Sequence, residues 1–159
     1  MVIKLKYVVF FFALTTLTCF SQELVQNDTE TTITFKIKNV GITVDGNFSD
    51  FTFLSNFNSS NLKESFLNAE IDVKKHPKML FKSSEIIKST KDTYLIKGSL
   101  FIKGVEKKME VPLEVKETKT NVTISGDFVL NRKYFGVGGS SFVLSKKVNI
   151  KMIYVATKN

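Results

Sequence analysis

From Thr32 to Tyr154 the apolar side chains fall on every second residue, segment after segment. In Thr32–Val40, Ile33, Phe35 and Ile37 point one way, while Thr34, Lys36 and Lys38 point the other. Successive side chains of a strand leave opposite faces, so this period of two marks a strand with one dry face and one wet face. Gly41 ends the first such strand. Ile42–Phe51 continues as a second, with Gly46 inside it as an expected bulge or bend. Phe66–Val73 reads as a third and stops before Pro77, which cannot donate to a ladder. Met79–Ile87 and Thr93–Lys103 follow. Met109, Val111, Leu113 and Val115 form the dry face of a sixth strand, where Pro112 predicts an edge or a bulge. Val122, Ile124, Phe128 and Leu130 mark a seventh, and Val148, Ile150, Met152 and Tyr154 an eighth.

No long helical period interrupts this series; Asn61–Asn68 has the composition for one helical turn. Closely spaced strands without helices argue for an antiparallel sandwich or barrel. Closure into a barrel removes exposed edges. An eight-stranded barrel has room either for packed side chains or for one ligand. The expected fold is therefore all-β and antiparallel, a sandwich or a barrel of about eight strands, with closure favouring the barrel.

The first residues follow a different logic. Lys4 and Lys6 precede an apolar run, Tyr7–Leu17, and Cys19-Phe20-Ser21 places small residues where a signal peptidase reads. That is the pattern of an export signal, and the run is short for a bilayer, which needs about 20 residues. The expected organisation is a signal peptide at 1–21 and one domain at 22–159. Acylation at Cys19 would instead give a lipoprotein, but Thr16 stands where that signal wants an aliphatic residue. Of the 23 Lys and Arg, two lie in the leader, so 21 face 15 acids beyond it, a net charge of +6.

Beyond the leader the chain holds one His (His76), one Arg (Arg132) and no Cys. Disulfides are excluded, and a lone His cannot build an ordinary zinc site. Ser140 and Ser141 lack the Gly-x-Ser-x-Gly frame of a nucleophile elbow. Asp45, Asp50, Glu70 and Asp72 are scattered, with no pair set apart as a glycosidase requires. Gly136, Gly138 and Gly139 match no phosphate-binding fingerprint and read as a turn needing positive φ. No catalytic residue, metal ligand or cofactor is expected, and the chain reads as a binder rather than an enzyme. Arg132 either pairs with a phosphate or carboxylate headgroup or anchors its loop on backbone carbonyls. Lys36, Lys38, Lys74, Lys75, Lys107, Lys108, Lys146 and Lys147 suit either anionic lipid headgroups or plain solubility and edge protection. Export, and the lack of aromatics among the lysines, argue against nucleic acid.

The inward positions carry the functional reading. Phe35, Ile37, Phe48, Met79, Phe81, Leu100, Ile102, Val111, Leu113, Ile124, Phe128 and Met152 are expected to face the interior. Soft, large side chains of this kind suit an alkyl or prenyl chain. They also suit a core that fills itself, and alternation alone does not separate the two.

Five stretches, in order, resemble the YceI-like family. They are Ile33–Gly41, Gly46-Asn47-Phe48-Ser49-Asp50-Phe51, the Asp72–Ser84 stretch with Pro77 and Phe81-Lys82-Ser83, Gly98-Ser99-Leu100-Phe101-Ile102-Lys103-Gly104-Val105, and Asn131-Arg132-Lys133-Tyr134-Phe135-Gly136-Val137-Gly138. The resemblance implies a bacterial, periplasmic or secreted protein with a lipocalin-like barrel. It implies an extended eight-stranded antiparallel barrel with a polyisoprenoid or similar long-chain amphiphile in its apolar tunnel, held for carriage or storage; peripheral contact with an anionic membrane is an expectation from the lysines alone. Ile71 runs directly into Asp72 where the family carries a further stretch; its loss is expected to shorten the tunnel, open its mouth or weaken the barrel. The alternative is an envelope protein-interaction module with a solid barrel core and no ligand.

Overall fold

In a computed structural model, which describes residues 24–73 and 77–158, ten strands follow one another. They are β1 (Leu24–Gln26), β2 (Thr32–Asn39), β3 (Ile42–Phe48), β4 (Phe51–Ser55), β5 (Leu67–Ile71), β6 (Met79–Lys88), β7 (Thr93–Ile102), β8 (Val105–Glu117), β9 (Asn121–Asn131) and β10 (Leu144–Lys158). A single 3-10 turn, Arg132–Phe135, is the helical element among the described residues. The export signal expected at 1–21, Cys19 included, lies outside the described residues, as do Lys74, Lys75 and His76.

All ladders are antiparallel, and the strands lie in the order β3-β2-β10-β9-β8-β7-β6-β5-β4, with β1 on β10 beside β2. The two ends of this path, β3 and β4, are separated in sequence only by Ser49 and Asp50. The sheet must therefore curl until its ends meet there, which gives a half-barrel. The all-β antiparallel architecture is the expected one. The strand count is ten rather than eight for two reasons. β1 is too short to display a period, and the expected strand Ile42–Phe51 breaks at Ser49–Asp50, sending its first half to β2 and its second to β5.

The seam is bridged beside β1. The amide of Phe53 on β4 donates to the side-chain Oε1 of Gln26 on β1 at 2.7 Å, so a side chain stands in for a ladder rung. Along β3, no strand pairs with the outer edge among the described residues.

Three local expectations resolve differently. Gly46 makes no bulge: the β2–β3 register runs unbroken, with Phe35 opposite Gly46. Pro112 makes no bulge either; it faces Leu95 of β7 and sits one residue before the β8–β9 ladder begins at Leu113, on a stretch of β8 that β9 leaves unpaired. Asn61–Asn68 forms no helix. Ser65 closes a turn on Leu62, and β5 starts at Leu67.

The interior divides into a solid end and a hollow one. At the solid end the 56–66 connection inserts Phe57, which meets Tyr94 edge-on at 5.2 Å, and Phe53 lies against Tyr154 at 5.0 Å. Val122, Ile124, Tyr154 and Ala156 are wholly buried there. Lys158 reaches Glu117 and the carbonyl of Thr118, stapling the C-terminal strand to the β8–β9 turn. The hollow end is bounded by the β2–β3 and β7–β8 hairpins, by Val73 and Pro77, and by the loop from Arg132 to Val143.

The β2–β3 hairpin turns on Val40 and Gly41, at φ +50° and +80°. Such paired positive φ values match the strand twist of a two-residue hairpin, but they favour Asn or Gly at both places. A β-branched residue in this region is strained by about 1–3 kcal/mol. Val40→Asn is therefore expected to raise the unfolding free energy by about 1 kcal/mol. Urea unfolding checks this, and an unchanged or lower midpoint would show that Val40 is unstrained.

Candidate functional site: an apolar cavity open at one end

Two adjoining chambers occupy the hollow end. The outer one, about 480 Å³, is lined by Phe35, Ile37, Phe48, Val73, Pro77, Met79, Ile102, Lys103, Leu130, Arg132, Phe135, Val137, Gly138, Leu144, Val148 and Ile150. The inner one, about 90 Å³, has only apolar residues in its wall, among them Ile33, Phe53, Phe81, Ile96, Leu100, Met109, Val111, Leu113, Phe128 and Met152. Phe48, Met79, Ile102, Leu130 and Ile150 belong to both walls and so stand at the neck, the boundary between the chambers.

The residues expected to face the interior fall as follows. Phe35 and Ile37 line the outer chamber. Phe48, Met79 and Ile102 form part of the neck. Phe81, Leu100, Val111, Leu113, Phe128 and Met152 line the inner chamber. Ile124 faces inward but belongs to the solid end, with no exposure at all. Alternation missed Phe135 and Val137, because they lie in an irregular loop with no period to read.

Glycine makes much of the hollow. Gly46, Gly98 and Gly126 stand at inward positions of β3, β7 and β9. A Cβ on Gly46 would stand 2.7 Å from the Phe35 ring. On Gly98 it would meet the Lys82 carbonyl oxygen at 2.4 Å and the Phe81 ring at 2.6 Å. The tips of the two rings thus pack over bare backbone on the neighbouring strand, in space a side chain would otherwise take. On Gly126 a Cβ would press Leu113 at 3.0 Å.

The wall also opens between β8 and β9. Their ladder spans only Leu113–Glu117 against Gly126–Val122. Beyond it the strands part, and Phe135, nearly fully buried, packs with Leu100, Ile102, Met109 and Leu130. The 3-10 turn that delivers Phe135 is capped by Asn131, whose Oδ1 accepts from the Lys133 amide at 3.1 Å.

Of the two roles open to Arg132, its hydrogen bonds are those of a loop anchor. Its Nε donates to Ser145 O at 2.8 Å. Nη1 donates to Val137 O at 2.6 Å and Gly139 O at 3.4 Å, and Nη2 to Ser141 O at 3.2 Å and Leu144 O at 2.8 Å. A guanidinium has five N–H donors, and all five are taken by backbone carbonyls. The buried side chain is the frame on which the 137–145 loop is wound. Lys103 is the other cation of the outer wall among the described residues, with Nζ donating to Gly136 O at 3.2 Å.

One polar atom is orphaned. Tyr154 Oη is buried at the solid end with no hydrogen-bond partner among the described residues. Burial pushes its phenol pKa up to about 12, since removal from water disfavours the charged form. Among the described residues no group of three His, Cys, Asp or Glu gathers in a way that could hold a metal ion.

With this geometry in hand, the chain can be set beside known proteins. A model of the YceI-like domain matches residues 56–156. The crystal structure of Burkholderia cenocepacia BcnA superimposes with a TM-score of 0.78 at 22% identity, covering 83% of this chain and 99% of that one. A Campylobacter jejuni YCEI protein gives 0.60 at 21% identity, over 71% and 84% of the two chains. A polyisoprenoid binding domain from Saccharophagus degradans, implicated in plant cell wall breakdown, gives 0.62 at 9% identity, over 87% and 99%. At these identities the solved structures establish the fold alone. No curated protein matches the chain.

Two predictions follow from the wall and the orphaned phenol. Gly46→Ala meets only the far end of a ring, so it should tip Phe35 into the outer chamber at a cost of about 1 kcal/mol. Gly98→Ala meets backbone and should cost about 2–3 kcal/mol; equal denaturation midpoints for the two would refute the distinction. Tyr154→Phe removes an unpaired hydroxyl and should stabilise by about 1 kcal/mol. Because the folded phenol titrates above the unfolded one, stability should be level below about pH 10 and fall as pH rises from there toward 12. The Phe variant should lose that alkaline fall, as denaturant titrations across pH would show.

Proposed function

The chain belongs to the YceI-like domain family, and on that premise we propose that it is a binding protein whose half-barrel holds the apolar chain of a polyisoprenoid or similar long-chain lipid. The observation that carries this reading is the two-chambered cavity, dry in its inner part and open at one end. Its outer volume falls within the range of about 300–1,000 Å³ usual for ligand pockets. Each methylene moved from water into such a wall contributes about 0.8 kcal/mol. A chain threaded past the neck at Met79 and Ile102 would need no polar partner until it reached the mouth.

The solid end limits the reach of the guest. A long chain would leave its polar end, and any length the cavity does not take, at the mouth beside Lys103. Arg132 has no donor to offer it. The likeness to a polyisoprenoid binding domain supports the ligand class. Export through the 1–21 signal, and carriage or storage of the lipid in the periplasm or outside the cell, complete the proposal; their support is the leader sequence. A solid-core interaction module fits less well, because both chambers are hollow.

Solvent extraction of the purified protein followed by mass spectrometry tests the reading. The expected result is a long-chain lipid in near-stoichiometric amount, reduced in Gly46→Ala. A protein that repeatedly yields no lipid, and takes up no added polyisoprenoid, would overturn it.

A further inference from the structure

The mouth of the cavity carries a second feature that the ligand reading does not use. Phe142 is 99% exposed, Val40 and Ile42 are each 71% exposed, and Val143 is 58% exposed. They sit together, because the Val40 amide donates to the Val143 carbonyl at 3.0 Å and ties the hairpin tip to the loop. A shallow depression beside them is walled by Lys38, Lys133 and Lys146. The sequence supplies no counter-charge locally: residues 131–151 and 36–44 contain lysines and Arg132 but not one Asp or Glu. Elsewhere signs mix, with Glu106 beside Lys107 past the β7–β8 hairpin and, at the opposite end, Lys91 beside Asp92 and Glu117 near Lys119.

Two observations show that this apolar tip is held in place. Arg132 binds five carbonyls of the loop that carries Phe142, so the side chain projects from a braced frame. Val40 occupies a positive φ where Asn or Gly would be unstrained. Strain kept at a surface position points to use of the side chain displayed there. Apolar tips ringed by lysines match the chemistry of an anionic bilayer, whose headgroups attract the cations while its acyl region accepts the tips.

We propose that this end of the protein docks on anionic lipid membranes, with Phe142, Val143, Val40 and Ile42 entering the interface and Lys38, Lys133 and Lys146 on the headgroups. Docking there turns the cavity mouth toward the bilayer, the source or destination of a lipid chain. That consequence rests on the ligand reading; the docking itself does not, since its residues lie on the outer surface.

The chain contains no Trp, so a Phe142→Trp variant of the full chain reports on this site alone. The expected result is a blue-shifted emission, quenched by brominated acyl chains, on vesicles of phosphatidylcholine with phosphatidylglycerol. Phosphatidylcholine alone should give at least about tenfold weaker binding, as should adding Lys133→Glu and Lys146→Glu. A Lys119→Trp variant, at the far end, should stay unquenched. Val40→Asn should weaken docking several-fold although it makes the fold more stable, an outcome that loss of structure cannot produce. Unquenched emission from Phe142→Trp on anionic vesicles would overturn the proposal. So would emission already blue-shifted without vesicles in a dimer seen by sedimentation, which would assign this face to a second copy. Docking by a protein that yields no extractable lipid would leave this proposal standing and sink the ligand reading.

Discussion

A sheet whose first and last strands are two halves of one stretch of chain cannot lie flat. β3 and β4 sit at opposite ends of the strand order, yet only Ser49 and Asp50 separate them. That covalent constraint curls the sheet and creates an inside. It also divides the inside in two. Where β4 runs, Gln26 and the 56–66 connection seal the seam and the interior packs solid. Where β3 runs, its outer edge has no strand beside it among the described residues, and the interior is hollow.

The hollow does not follow from curvature alone. Inward residues of neighbouring strands would ordinarily meet across the centre at native packing density. Here glycines at inward positions of β3 and β7 let the ring tips of Phe35 and Phe81 pack over the backbone of the wall. Phe135 then covers the wedge left where β8 and β9 part. A phenylalanine on a glycine is thus a device for lining a space with apolar surface without filling it. Arg132 serves the same end from outside. By satisfying carbonyls of a loop too irregular to satisfy them itself, it holds the rim in one shape.

Much of this could be read from the residues. Alternation in Thr32–Asn39 and Thr93–Ile102 gives both the strands and their dry faces, because the period of two is a property of the strand itself. The lining side chains follow from the same count. What alternation cannot give is depth along the barrel: Ile124 and Phe128 share one face of β9, but one is packed and the other borders the cavity. Depth depends on register and on which connection folds over which end, and neither is local. The break at Ser49–Asp50 was hidden because both halves keep the alternation. Arg132 was visible as the sole arginine beyond the leader, but its choice between a ligand and five carbonyls is made by a loop whose path has no periodic signal. Phe135 was obscured for the same reason.

The central claim is that a lipid chain replaces water in the hollow end. The chain has four methionines, and Met79, Met109 and Met152 all border the inner chamber. Methionine methyl groups labelled with ¹³C can therefore report on the cavity directly by NMR while an isotopically distinct polyisoprenoid is added. The account predicts magnetisation transfer from the lipid chain to these three methyls, with the ring signals of Tyr94 at the solid end unmoved. Three methyls that keep their free shifts and show no contact with a lipid the protein has bound would contradict it.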